Sequence, residues 1–316
     1  MRSLNFITLK TSLPRRRRDA EIRSRPVRLG GLAGVYSRFY ELSRFCVIAL
    51  VCCGPLFAQK IALIVPEKSI QTEQYASQLS ETLSSKLYIQ DSEMSLAAFR
   101  SVKLENPFNL TASESRDIGS VLGCDYFLLI KSATLRRTSF ERDEFYESFA
   151  SVFLVSARSG RLVRWDLKSF EADTPAESER ALLKSGNKFA AEIYGHLESF
   201  QKAKPNAVRT DAIEEVPTDS LETKNFRPPL PYKRIKPEYP RTAYFYDIRA
   251  TIEAAVDIDQ NGAVTGIAIE RWAGFGLDEA VAEAVRKMNW RPATRNGKTL
   301  PMRVLLRYNF TKIEKE

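Results

Sequence analysis

The sequence predicts an α+β protein of two domains behind a cleavable leader. Residues 59–201 read as a mixed α/β domain, 202–235 as a Pro-rich linker, and 236–316 as a smaller ββαβ domain, with 1–58 as the leader. Three observations carry this. The 316 residues suffice for about two domains of roughly 150 residues each. The apolar period switches repeatedly between four residues and two, the marks of amphipathic helices and half-buried strands. Between the two periodic regions, Pro205, Pro217, Pro228, Pro229 and Pro231 punctuate a polar stretch with no apolar period, as in an extended tether. Hydrophobic residues at 44% and charged residues at 28% match a globular protein and exclude a disordered tail or a fibre. Four cysteines and one histidine exclude a disulfide scaffold and a histidine-rich metal site.

The net charge of +9 is concentrated at the start. Residues 1–44 hold 11 basic and 3 acidic residues, Phe45–Ala58 none, and the remainder 37 basic and 36 acidic. The basicity belongs to the leader, so it does not argue for a nucleic-acid partner. Phe45–Cys53 is an uninterrupted apolar run, broken by Gly54-Pro55, with the small Ala58 ahead of Gln59. A positive flank, a short apolar core and a small residue before the cut describe a secretory signal. The run is shorter than the roughly 20 apolar residues of a spanning helix. Export to the periplasm is therefore expected. An uncleaved run would instead anchor the chain in the inner membrane. Val35 is an alternative start that would give the signal an ordinary length. Cleavage leaves Cys124 as the lone cysteine, expected to pack rather than react.

In the first domain, Ile61–Val65 reads as a buried strand and Tyr75, Leu79, Leu83 and Leu87 as a helical stripe. Leu96 and Phe99 mark a short helix. Thr111-Ala-Ser-Glu114 is a capping box, and Gly123 closes its helix. Three period-two strands follow around Tyr126–Ile130, Phe149–Val155 and Val163–Leu167. Thr174-Pro-Ala-Glu177 then opens a long helix carrying Leu182, Phe189, Ile193 and Leu197. Helices on one face of a mixed sheet are expected. Leu122–Phe127 and Ser159–Trp165 weakly resemble steps in the periplasmic α/β domains of the TolB amino-terminal and curli-secretion CsgG type.

The last third of the linker carries Phe226, Leu230 and Tyr232, which leaves open a loop folded onto a domain. In the second domain, Ile252–Ile258 alternates, Asn261-Gly262 signals a hairpin, and Val264, Ile267 and Ile269 return. Leu277, Val281, Ala284, Val285 and Met288 form a helical stripe. Met302, Val304, Leu306, Tyr308 and Phe310 alternate with Arg303, Leu305, Arg307 and Asn309 in a last strand. A small sheet ending in a long strand offers an edge for an extended peptide. Alternatively, Arg303 and Arg307 guard that edge against pairing.

Catalytic chemistry is not legible. The calcium-like start Asp257–Gly262 has Ala268 where a bidentate glutamate is needed. Asn296-Gly-Lys298 lacks the upstream glycine of a phosphate loop. No nucleophile elbow occurs, and His196 sits in no motif. No enzyme, metal or cofactor is expected.

Pro237-Glu-Tyr-Pro240, Asp259-Gln-Asn-Gly262, Gly274, Leu277-Asp-Glu-Ala280, Trp290-Arg-Pro-Ala293, Asn296-Gly-Lys298 and Phe310 resemble the TonB C-terminal domain family in order and spacing. The sequence departs from the family at Lys236, Asp247, Ala250 and Trp272-Ala273. The resemblance implies a ββαβ module that binds the TonB box of outer-membrane TonB-dependent receptors by strand addition. Lys236, Pro237, Tyr239 and Pro240, together with Arg303, Leu305 and Arg307, are then the partner-binding residues. Two functions stay open: a periplasmic coupling or adaptor protein in envelope transport, and a structural envelope-assembly factor with no energy-transducing role. Inner-membrane motor proteins as partners and a homo-oligomer are left open as well.

Overall fold

The computed structural model describes residues 59–202, 213–216 and 225–311. The leader with its expected cut after Ala58, and most of the linker's first two thirds, lie outside the described residues. The first region runs β1 (Lys60–Ile64), α1 (Ile70–Ser84), β2 (Tyr88–Ile89), α2 (Ser92–Ser101), α3 (Ala112–Leu122), β3 (Tyr126–Arg137), β4 (Phe145–Ser156), β5 (Leu162–Ala172) and α4 (Pro175–Lys202). Helix starts are set by side-chain caps. Ser69 and Asp91 accept the N–H groups of Thr72 and Met94. Thr111 and Glu114 form the expected reciprocal box, closed by left-handed Gly123.

The sheet order is β2-β1-β3-β4-β5. β1 pairs parallel with β2 and β3, and β3, β4 and β5 form an antiparallel meander. Helices cover both faces, not the single face expected. α1 and α4 bury Tyr75, Leu79, Phe189 and Ile193 against Leu63, Ile130, Val152 and Leu154. α2 and α3 bury Phe99 and Ile118 against Ile64, Leu129, Phe153 and Val155 on the other. The reason is visible in β4: from Glu147 to Ser156 every residue is buried, and both of its alternating sets are rich in apolar residues, as in a strand covered on two sides.

The second region contains β6 (Glu214–Glu215), β7 (Phe226–Arg227), β8 (Leu230–Pro231), α5 (Arg241–Phe245), β9 (Ala250–Ile258), β10 (Val264–Arg271), α6 (Leu277–Arg286), β11 (Trp290–Arg291), β12 (Ala293–Arg295), β13 (Lys298–Leu300) and β14 (Met302–Phe310). Its main sheet has the order β10-β9-β14-β6. α6 packs Leu277, Val281 and Val285 over Ile252, Ala254 and Val256. At the β9–β10 turn, the Asp259 carboxylate accepts the N–H groups of Asn261 and Ala263 at 2.8 Å each. Asn296 and Gly297, both at positive φ, form the turn between β12 and β13, the backbone an Asn-Gly hairpin requires. The end of the linker is folded: β7 pairs with β12 and β8 with β11.

The two regions are not separately cored. Trp272 is fully buried beside Phe153, and its indole N–H donates to the Gly160 carbonyl at 3.2 Å. Burying an indole removes about 150–250 Å² from water, on the order of 4–6 kcal/mol. Phe275 lies 4.5 Å from the Trp165 ring centroid and also contacts Tyr246. The Asn109 amide donates to the carbonyls of Thr251 and Trp272, both at 2.9 Å, and accepts the Thr251 N–H. Gly274, Phe275 and Gly276 all have positive φ, at 68°, 55° and 80°. Phenylalanine adopts this region at a cost of order 1–3 kcal/mol, which the aromatic contacts offset. Asp278 holds the loop by accepting the N–H groups of Ala273 and Gly274 at 3.1 and 2.8 Å.

A Cβ on Gly274 would lie 2.6 Å from the Trp165 ring, whereas one on Gly297, also at positive φ, would meet nothing within 4 Å. Gly274→Ala is therefore expected to lower unfolding free energy in urea by about 2 kcal/mol or more, and Gly297→Ala by clearly less. Burial pushes the Asp278 carboxyl from 3.8 up to about 7, against the pull of the two N–H groups. A folded-state value above the unfolded one means that this contribution is fully present below the unfolded pKa and is lost as pH rises through about 7. The urea midpoint should fall progressively from about pH 4 to about pH 7 and level off above that, and Asp278→Asn, which never charges, should flatten that slope.

Candidate functional site

The last strand, β14, is an edge along most of its length. Its inner side pairs with β9 from Met302↔Ile258 to Phe310↔Ala250. Among the described residues, its outer side pairs with β6 only at Met302 and Arg303, in parallel. The Arg303 carbonyl accepts the Val216 N–H at 3.3 Å, and the Arg307 carbonyl accepts the Arg234 guanidinium at 3.5 Å. The N–H and C=O of one strand residue point the same way, alternating along the chain. Arg303, Leu305, Arg307 and Asn309 therefore aim their backbone groups outward. Among the described residues, nothing pairs with the outward groups of Leu305.

The side chains alternate as the period demands: Met302, Leu306 and Phe310 are buried, Leu305 and Arg307 exposed. Arg303 and Arg307, however, do not stand free. Each grips the carboxylate directly opposite on β9. Arg303 Nε and Nη2 reach Asp257 at 2.6 and 2.9 Å, and Arg307 Nε reaches Glu253 at 2.8 Å. The Asp257 hydrogen bond and charge raise the Arg303 pKa above its ordinary value. Asp257 and Glu253 are buried carboxylates made tolerable by these pairs. β6 is anchored by the two-pronged pair of Glu214 with Arg295, and Val216 packs against Phe226 and Met302.

A cavity of about 940 Å³ wraps around this edge. Val304, Leu306 and Trp290 line it from the face packed on α6, and Pro228–Pro231 rim it beside Trp290. Arg303, Leu305 and Glu253 line it from the opposite face, where Thr111, Ser113 and Arg116 from the start of α3 close it. The Trp290 indole N–H is buried with no acceptor among the described residues.

Of the residues expected to bind a partner, Arg303 and Leu305 lie in this cavity. Lys236, Pro237 and Tyr239 meet the far end of the same strand in a cavity of about 460 Å³ with Tyr308 and Phe310. The Tyr239 hydroxyl donates to the Ile248 carbonyl at 2.6 Å, and its ring lies 5.8 Å from Phe310. Pro240 turns to α6 instead, beside Gly276 and Glu279. The cavity walls Arg116, Leu230 and Trp290 were not singled out from the sequence as partner-binding. Trp290 carried a signal as a family motif residue and Leu230 as an apolar residue at the end of the linker, whereas Arg116 carried none.

Residues 235–311 match the family described as Gram-negative bacterial TonB protein C-terminal. This part of the chain is a TonB C-terminal-like module. Over 91 residues the chain is 31% identical to "Protein TonB" of Xanthomonas campestris pv. campestris (strain B100), covering 28% of this chain and 37% of that protein. The chain thus spans just over a third of the length of the curated relatives it matches. Among solved structures, the Pseudomonas aeruginosa TonB CTD is similar at 24% identity and a TM-score of 0.24, covering 31% of this chain and 93% of that one. The hypothetical protein CT253 from Chlamydia trachomatis is similar at 12% identity and a TM-score of 0.32, covering 45% and 99%.

Arg303→Met would leave the Asp257 carboxylate buried without its guanidinium, at an expected cost of about 3 kcal/mol or more. The Arg307 side chain is 65% exposed, and Glu253 keeps Arg271 at 3.9 Å. Arg307→Met should cost less than about 1 kcal/mol. Denaturant titration of the two variants separates the values.

Proposed function

We propose that this TonB-like envelope protein works in the periplasm, where its last strand pairs with an extended segment of an outer-membrane receptor and couples or adapts that receptor to envelope transport. The single observation that carries the reading is the free edge at Leu305 inside a cavity that straddles the strand. Backbone pairing supplies affinity in strand addition, and pockets for alternate side chains supply specificity. β6 supports the mode, because one segment of the chain already adds to this strand in parallel. The match of residues 235–311 to the TonB family supports the receptor as partner and a non-catalytic role. The leader reading supports export. Lys236, Pro237 and Tyr239 would extend the contact past Tyr308, while Pro240 shapes the turn into α5.

The second reading, an envelope-assembly factor that holds partners together, draws on the shared core around Trp272, which fixes the module to the first domain.

The test is calorimetric titration of the chain from Gln59 with TonB-box peptides. Leu305→Pro removes an outward N–H and should weaken binding about tenfold, whereas Leu305→Ala should change it by about twofold or less. Equal binding by the proline variant would overturn strand addition, and no binding by the unaltered chain would leave the assembly reading in front.

A further inference from the structure

An added strand has two faces, and the cavity presents different chemistry to each. Successive side chains of a strand point to opposite sides. On the α6 side of β14 the walls are Val304, Leu306 and Trp290, with half of the Leu230 side chain in solvent at 55% exposure. The proline run Pro228–Pro231 along this wall has a single N–H, on Leu230. This side suits apolar side chains. On the other side the floor is the Asp257–Arg303 pair and Glu253, interrupted by exposed Leu305, and Glu215 and Glu270 line it as well.

The far wall of that polar side comes from the first domain. Thr111 forms a β-bridge with Arg271, and Arg271 reaches both Glu114 and Glu253. The start of α3 is thereby pinned over the face that carries Arg303 and Leu305. Ser113 and Arg116 project into the cavity's lining from there. The guanidinium groups in the cavity differ in occupancy. Arg303 is held by Asp257 in two hydrogen bonds. Arg234 rests on the Arg307 carbonyl and over the Tyr308 ring. Arg116 is exposed and, among the described residues, makes one long bond, to the Ser159 carbonyl at 3.3 Å. It is the cation with donors to spare, and a carboxylate is the group that a planar guanidinium binds best.

We propose that the partner strand alternates apolar and polar residues and is read on both faces, its apolar residues by the Leu230–Trp290 wall and an acidic residue by Arg116, so that the first domain forms part of the recognition site. This rests on the strand-addition reading above and extends it. The isolated TonB-like module would lack one wall. The chain's specificity is then set by residues outside the region that matches the TonB family.

The experiment uses the chain from Gln59 and nine-residue peptides of alternating Val and Ser, with a single Glu or Lys scanned through the Ser positions. Affinity is read by calorimetry. One position should prefer Glu over Lys by about tenfold in the unaltered chain. Arg116→Glu should invert the preference at that position and leave the uncharged peptide within about twofold. A peptide of the same composition with its valines clustered should bind at least about tenfold more weakly than the alternating one. Thermal unfolding confirms that Arg116→Glu, an exposed change, is folded. If Leu305→Pro weakens binding about tenfold while Arg116→Glu leaves every preference unchanged, the composite site is overturned and strand addition stands. If the unaltered chain binds none of the peptides, both are overturned.

Discussion

The loop from Trp272 to Gly276 docks the TonB-like module onto the first sheet, and the groove at β14 follows from that docking. Three consecutive residues lie at positive φ, and the middle one is a phenylalanine. That backbone is costly on its own and persists only where surroundings over-determine it. Here they do: Trp272 is bonded to Gly160, Phe275 is stacked among Trp165, Phe153 and Tyr246, and Asp278 ties down the two N–H groups that precede the turn. The contact makes the second face of the first sheet the floor for the TonB-like module. It also explains a departure from the family pattern. At Trp272-Ala273 both side chains are buried, so in this chain the position is an interior anchor with no surface to keep wet.

Once the module is fixed, the position of its edge strand follows. α3 comes to lie over the polar face of β14, and the proline run over the other, so an edge that would be open in an isolated sheet becomes the lining of a groove. Exposed edges invite uncontrolled pairing. β6 covers the first two residues of this one, and the two arginines keep that face charged while each is paired with a carboxylate of β9. Arg303 and Arg307 also neutralise carboxylates buried in the sheet. In the proposed mode a partner strand would meet the backbone at Leu305, with Arg116 and Leu230 on either side.

Local pattern settled the main helices and strands and their type, whereas the short pieces β2, β6–β8 and β11–β13 carry no period of their own. The capping box Thr111–Glu114, the hairpin at Asn261-Gly262 and the stripe Leu277–Val285 are local patterns, and local hydrogen bonding and periodicity decide them without help from distant residues. The alternation of β14 likewise placed Leu305 outward and Leu306 inward. Only the tertiary structure decided which apolar surfaces meet. β4 carried apolar residues on both faces, yet nothing in the period says whether a helix or another domain covers the second one. Burial is non-directional and roughly proportional to area, so Trp272 and Phe275 register in the sequence as apolar without naming Trp165 or Gly160 as partners. The wall formed by Arg116 was illegible for the same reason: an exposed arginine on a helix becomes part of a site only when a chain segment more than a hundred residues away is docked beneath it.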